Sequence, residues 1–312
     1  MDRQKQEFQP SLPSASPLSR GKRKLFCSGI VTLFGLAFAL VAHAGTPEDM
    51  FELGLKYEHG DGVAQDYGKA REWFQKGADA GEARAMTDLG VLYANGNGGA
   101  QDYVKACVLF QKAAAAGDPI AMDCLGLLYT NGRGVTRNYA KGREWYQKAA
   151  NAGDAKAMHE LGAFYTHGEG VAQNFRKAHE WFQKSADAGD TISMTALGLD
   201  YKRGQGVAQN FRKACEWYQK AADAGETHAM VALGGMYVRG EGVTKDYGKA
   251  IQWFQKAVDA GEPVAMYNLG LMYRDGVGVA QDYDKAREWL QKAADAADKD
   301  AKQELTRLGN QP

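Results

Sequence analysis

The chain has 312 residues, enough for two ordinary domains or one long repeat array, and its 45% hydrophobic and 11% aromatic content is enough for a folded core. Its 38 basic and 38 acidic residues cancel. That argues against a nucleic-acid binder, because neutralising phosphates calls for a basic excess.

The first segment, Met1–Arg20, is polar and rich in Ser and Pro, a composition that buries too little to fold. GKRK (Gly21–Lys24) follows, then LFCSGIVTLFGLAFALV (Leu25–Val41) and AHA (Ala42–Ala44). A basic start, a short apolar run and a small-x-small end make up a secretory signal peptide, with cleavage predicted after Ala44. Residues 1–44 are therefore assigned to leader and 45–312 to the mature domain, periplasmic or secreted. The apolar run, at 17 residues, reaches the lower limit for crossing a bilayer, so an uncleaved anchor is the competing reading. Cys27 stands at the start of that run, whereas a lipoprotein cysteine would follow it. Loss of the leader removes 6 basic and 2 acidic residues, leaving 32 against 36 and a net charge of −4. Cys107, Cys124 and Cys215 remain, an odd set without regular spacing and so not a disulfide framework.

Beyond the leader the chain repeats itself. DYGKAREWFQKGADAG (Asp66–Gly81) returns as DYDKAREWLQKAADAA (Asp282–Ala297), 216 residues later, which is six times 36. Leu-Gly falls at 53–54, 89–90, 125–126, 161–162, 197–198, 233–234 and 269–270. Trp follows at 73, 145, 181, 217, 253 and 289, with Leu109 in the one gap. Seven units follow each other without insertion or deletion.

Each unit reads as two helices. In the first, Met86, Leu89, Gly90 and Tyr93 fall at i, i+3, i+4 and i+7, one apolar stripe. The connection GDGVAQD (Gly60–Asp66) recurs as GRGVTRN and GEGVAQN, both glycines present in all seven copies, as backbone positions with positive φ require. Asp66, Asp102, Asn138, Asn174, Asn210, Asp246 and Asp282 precede the second helix as N-caps. In that helix Ala70, Trp73, Phe74 and Gly77 form the buried stripe, and Gly81 and its equivalents stop it. The tryptophans are expected to be wedged between consecutive hairpins. A glycine-rich loop before a helix can cradle phosphate, but here no strand precedes it and no P-loop lysine follows. The last fragment starts in phase at Leu305, with Lys302 and Thr306 as polar replacements, and reads as a capping helix. The array is placed at about 46–308.

Catalytic and metal signatures do not emerge. The mature histidines are His59, His159, His167, His179 and His228. They lack HExxH, CxxC or CxxCH context and are expected on the surface. No cofactor is predicted. A disulfide between Cys107 and Cys124 and a pair of buried thiols both remain open.

The positions that do not repeat carry the functional expectation. First-helix residues in phase with Arg84, Thr87, Asp88, Val91 and Asn95 are predicted to face away from the apolar stripe. They vary from copy to copy, as a surface reading a non-repeating partner would, although solvent exposure alone also permits variation. The residues assigned to partner binding are Arg84, Asp88, Lys156, His159, Glu160, Ile192, Leu199, Arg203, Arg239 and Tyr267.

The unit AMxxLGxxYxxGxGVxxDYxKAxxWFQKAAxAG, clearest in Ala157–Gly189 and Ala229–Gly261, closely resembles the Sel1-like repeat family, a relative of the tetratricopeptide repeats. The resemblance covers essentially the whole mature chain. It implies an all-α fold, a right-handed α-solenoid of helix pairs, and a role as adaptor or scaffold. Secreted bacterial members of that family often act at the envelope. A cysteine-rich branch is linked to β-lactam binding or hydrolysis, but it carries a disulfide in each repeat and this chain does not. The favoured expectation is a non-enzymatic scaffold binding a protein or extended peptide on its concave side. An envelope hydrolase acting on β-lactams or peptidoglycan is one alternative, and a membrane-tethered assembly factor is another.

Overall fold

A computed structural model describes residues 45–296 and 298–309. The leader and its cleavage site lie outside the described residues. Those described form fifteen α-helices and no strand. They are α1 (Pro47–His59), α2 (Tyr67–Asp79), α3 (Ala83–Asn95), α4 (Tyr103–Ala115), α5 (Pro119–Asn131), α6 (Tyr139–Asn151), α7 (Ala155–His167) and α8 (Phe175–Asp187). The remainder are α9 (Thr191–Arg203), α10 (Phe211–Asp223), α11 (Thr227–Arg239), α12 (Tyr247–Asp259), α13 (Pro263–Asp275), α14 (Tyr283–Asp295) and α15 (Lys299–Gly309). None is long and apolar enough to cross a membrane.

Two compact units divide the described residues, the first ending at Ala157 and the second beginning at Met158. In the first, each helix from α1 to α6 packs on the next in sequence; in the second the same holds from α8 to α15. Each unit is thus a solenoid of helical hairpins, built by the predicted 36-residue alternation.

Local chemistry sets the boundaries. All seven expected N-caps operate: Asp66 Oδ1 accepts from the Lys69 N–H at 3.0 Å and Asn210 Oδ1 from Lys213 at 3.0 Å. The first helices end on glycines in the left-handed region, such as Gly60 at φ 77°. The second glycine of the connection serves closeness as well. A Cβ on Gly134, itself at φ 67°, would lie 2.5 Å from the Tyr103 carbonyl carbon, so the loop of one hairpin rests on the start of the preceding second helix.

The first helices are also capped from the side chain, by Thr46, Glu82, Asp118, Asp190, Glu226 and Glu262. An acid directly after the stop glycine was the available signal for five of these.

The Leu-Gly pair has a packing reason. A Cβ on Gly90 would stand 2.6 Å from Phe110, one on Gly162 2.5 Å from Phe182, and one on Gly234 2.6 Å from Phe254. The glycine is the seat of the residue after the tryptophan, and that residue is the buried one: Phe74, Phe110, Tyr146, Phe182, Tyr218, Phe254 and Leu290 are at most 5% exposed. This corrects the expectation for tryptophan. Only Trp73 is buried, whereas Trp145, Trp181, Trp217, Trp253 and Trp289 are half-buried. Every tryptophan, Trp73 included, has the lysine one turn on over its ring, as Lys76 lies 3.9 Å from the Trp73 ring and Lys184 4.2 Å from the Trp181 ring.

The first helices α3, α5, α9, α11 and α13 are buried on more than one side, because each contacts the second helix before it and the one after it. On α3, Thr87, Asp88 and Val91 are 1%, 5% and 3% exposed, although the apolar stripe placed them outward. The same correction applies to Asp123 and Cys124 on α5. At the C-terminus α15 packs on α14, burying Ala301 and Leu308 and pairing Glu304 with Arg274 and Arg307. The capping role read from its polar substitutions fits this geometry.

Candidate functional site

Of the residues assigned to partner binding, Arg84, Lys156, Ile192, Arg203 and Arg239 are exposed, and Ile192 is open to 56%. His159, Glu160, Leu199 and Tyr267 are half-buried. Asp88 is withdrawn from the surface, for the reason given above. In the first unit Arg84 is held by Glu48 and by Glu82 at 2.9 Å, over the Phe51 ring. In the second unit Arg239 pairs with Glu241 at 2.9 Å, and Lys202 lies 4.0 Å from the same carboxylate. Burial and the neighbouring Arg239 and Arg203 push the Lys202 ammonium down. Arg203 makes no hydrogen bond or ion pair with the described residues, so its five donors face solvent.

A ladder of polar contacts joins successive first helices. A side chain near the head of one helix bonds to the N-cap acid of the next, 31 residues on. Thr87 donates to Asp118, and Thr195 donates to Glu226 at 3.0 Å. His159 stands 3.6 Å from Asp190 in the same relation. The carboxylates that cap the helices therefore also tie neighbouring hairpins, and since the tie and cap donors at Asp118 and Glu226 are neutral hydroxyl and backbone N–H groups, these contacts do not cancel the carboxylate charge.

His59, His167 and His228 are on the surface as expected, whereas His159 and His179 are half-buried. His179 Nδ1 lies 2.9 Å from Asp200 and edge-on to Tyr201. Asp200 occupies the place of Leu92, Leu128 and Met236 in other repeats, a core position, and burial raises its carboxyl against the opposing His179. His159 is packed on Phe182, and burial lowers its imidazole against the pull of Asp190. No local spacing announces these pairs, since their partners come from 21 and 31 residues along the chain.

His159, Ser193 and Asp190 raise the question of nucleophilic catalysis. The geometry answers it. Ser193 Oγ and Asp190 both approach the same imidazole nitrogen, Nδ1, at 2.8 and 3.6 Å. A catalytic histidine takes its proton on one nitrogen while the acid orients the other. Ser193 is moreover 0% exposed, and its hydroxyl donates to Ser185 at 2.8 Å. No substrate atom reaches it. Cys107, Cys124 and Cys215 are free and buried, with burial pushing each thiol up, Cys215 to about 11. Cys107 and Cys124 are thus buried thiols, and no activated thiolate stands among the described residues. Among the described residues no three His, Cys, Asp or Glu side chains are grouped to hold a metal ion.

Seven consecutive segments, residues 47–82, 83–118, 119–154, 155–190, 191–226, 227–262 and 263–298, match the family model described as Sel1 repeat. No curated protein matches the sequence. Among solved structures the chain is similar to a protective antigen present in uropathogenic Escherichia coli strains, with 34% identity and a TM-score of 0.74 over 89% of this chain. It spans 59% of that antigen's length. A Sel1 repeat protein from Oxalobacter formigenes is 32% identical with a TM-score of 0.72, over 79% of this chain and 99% of its own.

Proposed function

Because the chain belongs to the Sel1 repeat family, whose repeats generally build protein-interaction scaffolds, we propose that it is a non-enzymatic scaffold binding an extended protein segment along its first helices. The observation that carries this reading is a contrast between the two kinds of helix. Second helices present nearly the same outer side chains in most repeats, including the lysine–tryptophan stacks. First helices present different ones at equivalent places, and in the second unit these include the open Ile192 and the unpaired Arg203. An exposed aliphatic anchor at the head of α9 and a free guanidinium at its end, about three turns on, suit an extended peptide whose apolar side chain docks at one point while an acidic residue further along sets register. Side chains on the concave side of stacked hairpins converge on such a chain.

The leader supports export to the periplasm or beyond, with a mature N-terminus at Gly45. N-terminal sequencing of the protein from its native host tests this; a chain that keeps Leu25–Val41 makes it a membrane-tethered factor instead. Photo-cross-linkers placed at Ile192 and Arg203 should trap one common protein, and cross-linkers at Gln183 and Lys184 on α8 should not. Trapping from α8 alone would overturn the first-helix reading. Hydrolysis of a β-lactam or of peptidoglycan by the purified protein would overturn the non-enzymatic one.

A further inference from the structure

The first unit separates its charges by helix type. Four carboxylates on α1, one each on α3 and α5, and the N-caps Glu82 and Asp118 make eight, against the two cations Lys56 and Arg84. On α2, α4 and α6 the balance reverses, with eight cations against five carboxylates, caps included. Arg84 is already engaged with Glu48 and Glu82. The first-helix face of this unit is therefore acidic beyond what its own cations offset.

Asp88 is the most deeply buried member of that excess. It is 5% exposed and makes no hydrogen bond or ion pair with the described residues. Glu58 from α1 and Asp118 at the head of α5 face it, and Arg84 from its own helix opposes them. Burial, reinforced by Glu58 and Asp118, raises its carboxyl to about 8. Burial raises the Glu58 carboxyl too, with His59 opposing. An uncompensated buried acid lowers stability and persists where something outside the fold makes use of it. No grouping of side chains here holds a metal ion. The fitting counter-charge is a cation carried on a flexible stem.

We propose, building on the scaffold reading, that the first-helix face of the first unit docks a cationic segment of a partner protein, with Asp88 receiving an arginine or lysine side chain between Glu58 and Asp118. Arginine fits best, because its planar, weakly hydrated fork bonds both carboxylate oxygens at once. Docking restores the ionised carboxylate, so binding near neutral pH expels a proton. Ordinary surface attraction between exposed charges has no such signature.

The experiment titrates the full chain with an oligo-arginine peptide, and separately with oligo-glutamate, by calorimetry at pH 7 in two buffers of different ionisation enthalpy. Oligo-arginine should bind with buffer-dependent heat corresponding to proton release, and oligo-glutamate should not bind. Asp88→Asn should weaken oligo-arginine binding about tenfold or more and abolish the release. Glu58→Gln should weaken binding and serves as the test if Asp88→Asn does not fold. Glu144→Gln, on α6, should change neither quantity. Equal binding by Asp88→Asn, or binding without proton release, overturns the proposal. If oligo-arginine fails to bind while cross-links at Ile192 and Arg203 persist, this proposal falls and the scaffold reading stands.

Discussion

Gly234 and Gly68 show how the same residue type obeys opposite rules within one repeat. Alanine in a helix interior is worth about 1 kcal/mol over glycine in propensity. At Gly234 the added methyl would stand 2.6 Å from the Phe254 ring, and overpacking of that kind costs roughly 1–3 kcal/mol. Gly234→Ala is therefore expected to lower the melting temperature despite the propensity gain. Gly68 instead meets only its own cap, Asp66 Oδ1, at 3.2 Å. Other repeats place Val104, Ala140 and Arg176 at that position behind the same kind of cap. Gly68→Ala should thus be neutral or stabilising by up to about 1 kcal/mol, read as a raised melting temperature. Asp88 gives a residue-scale prediction with a pH sign. Its folded-state pKa of about 8 stands above an unfolded value of about 3.9. The stability it contributes is present below the lower value and lost as pH rises through the higher one. Asp88→Asn should therefore melt above the wild type at pH 9, by a few degrees or more, and the gap should close toward pH 4. A constant gap across that range would remove the buried-acid assignment.

At the scale of the element, α8 carries a half-buried Trp181 beside a buried Phe182. Truncating a fully packed aromatic costs roughly 3–5 kcal/mol, so Phe182→Ala should strip hydrogen-exchange protection from α8 and α9. Trp181→Ala gives up part of a ring face and the Lys184 stack, and should remove markedly less. Equal losses would put the tryptophan back in the core. The pair also shows what could be read from the chain. Helix existence, the Asp and Asn caps and the glycine turns follow rules that act within a few residues, and the 36-residue period repeats each of them seven times. Ala70, Phe74 and Gly77 are buried as their spacing implies. Burial on the flanks of α3 follows a different logic, since Thr87 and Asp88 are covered by neighbouring hairpins that a single-helix stripe does not describe. Choosing Phe182 over Trp181 likewise depends on the seat at Gly162, twenty residues earlier, and the pairing of His179 with Asp200 on a partner one helix away. Of the candidate site, Ile192 and Arg203 are as open as their polar flanks imply, while Asp88 is not.

Over the whole molecule, stability in such an array is close to a sum of each repeat and its interfaces with its neighbours, so an unprotected end frays without unfolding the rest. The second unit closes with α15, which covers Leu290, Ala293 and Ala294 of α14, residues at most 5% exposed. It also supplies Glu304, the 6% exposed carboxylate to which Arg274 of α13 and Arg307 of α15 are paired. Removing 299–309 would leave an apolar strip on α14 open to water and Arg274 with Asp275 as its remaining partner. Exposed strips of this kind associate with one another. The shortened chain should lose hydrogen-exchange protection in α13 and α14, keep it in α10 and α11, and elute as larger, concentration-dependent species on gel filtration. A Leu290→Gln change added to the deletion should reduce the association without restoring protection to α14, because it removes the apolar driving force but not the missing interface. Uniform loss of protection across the second unit would show instead that its hairpins melt together, and the additive description of the array would then be wrong for this chain.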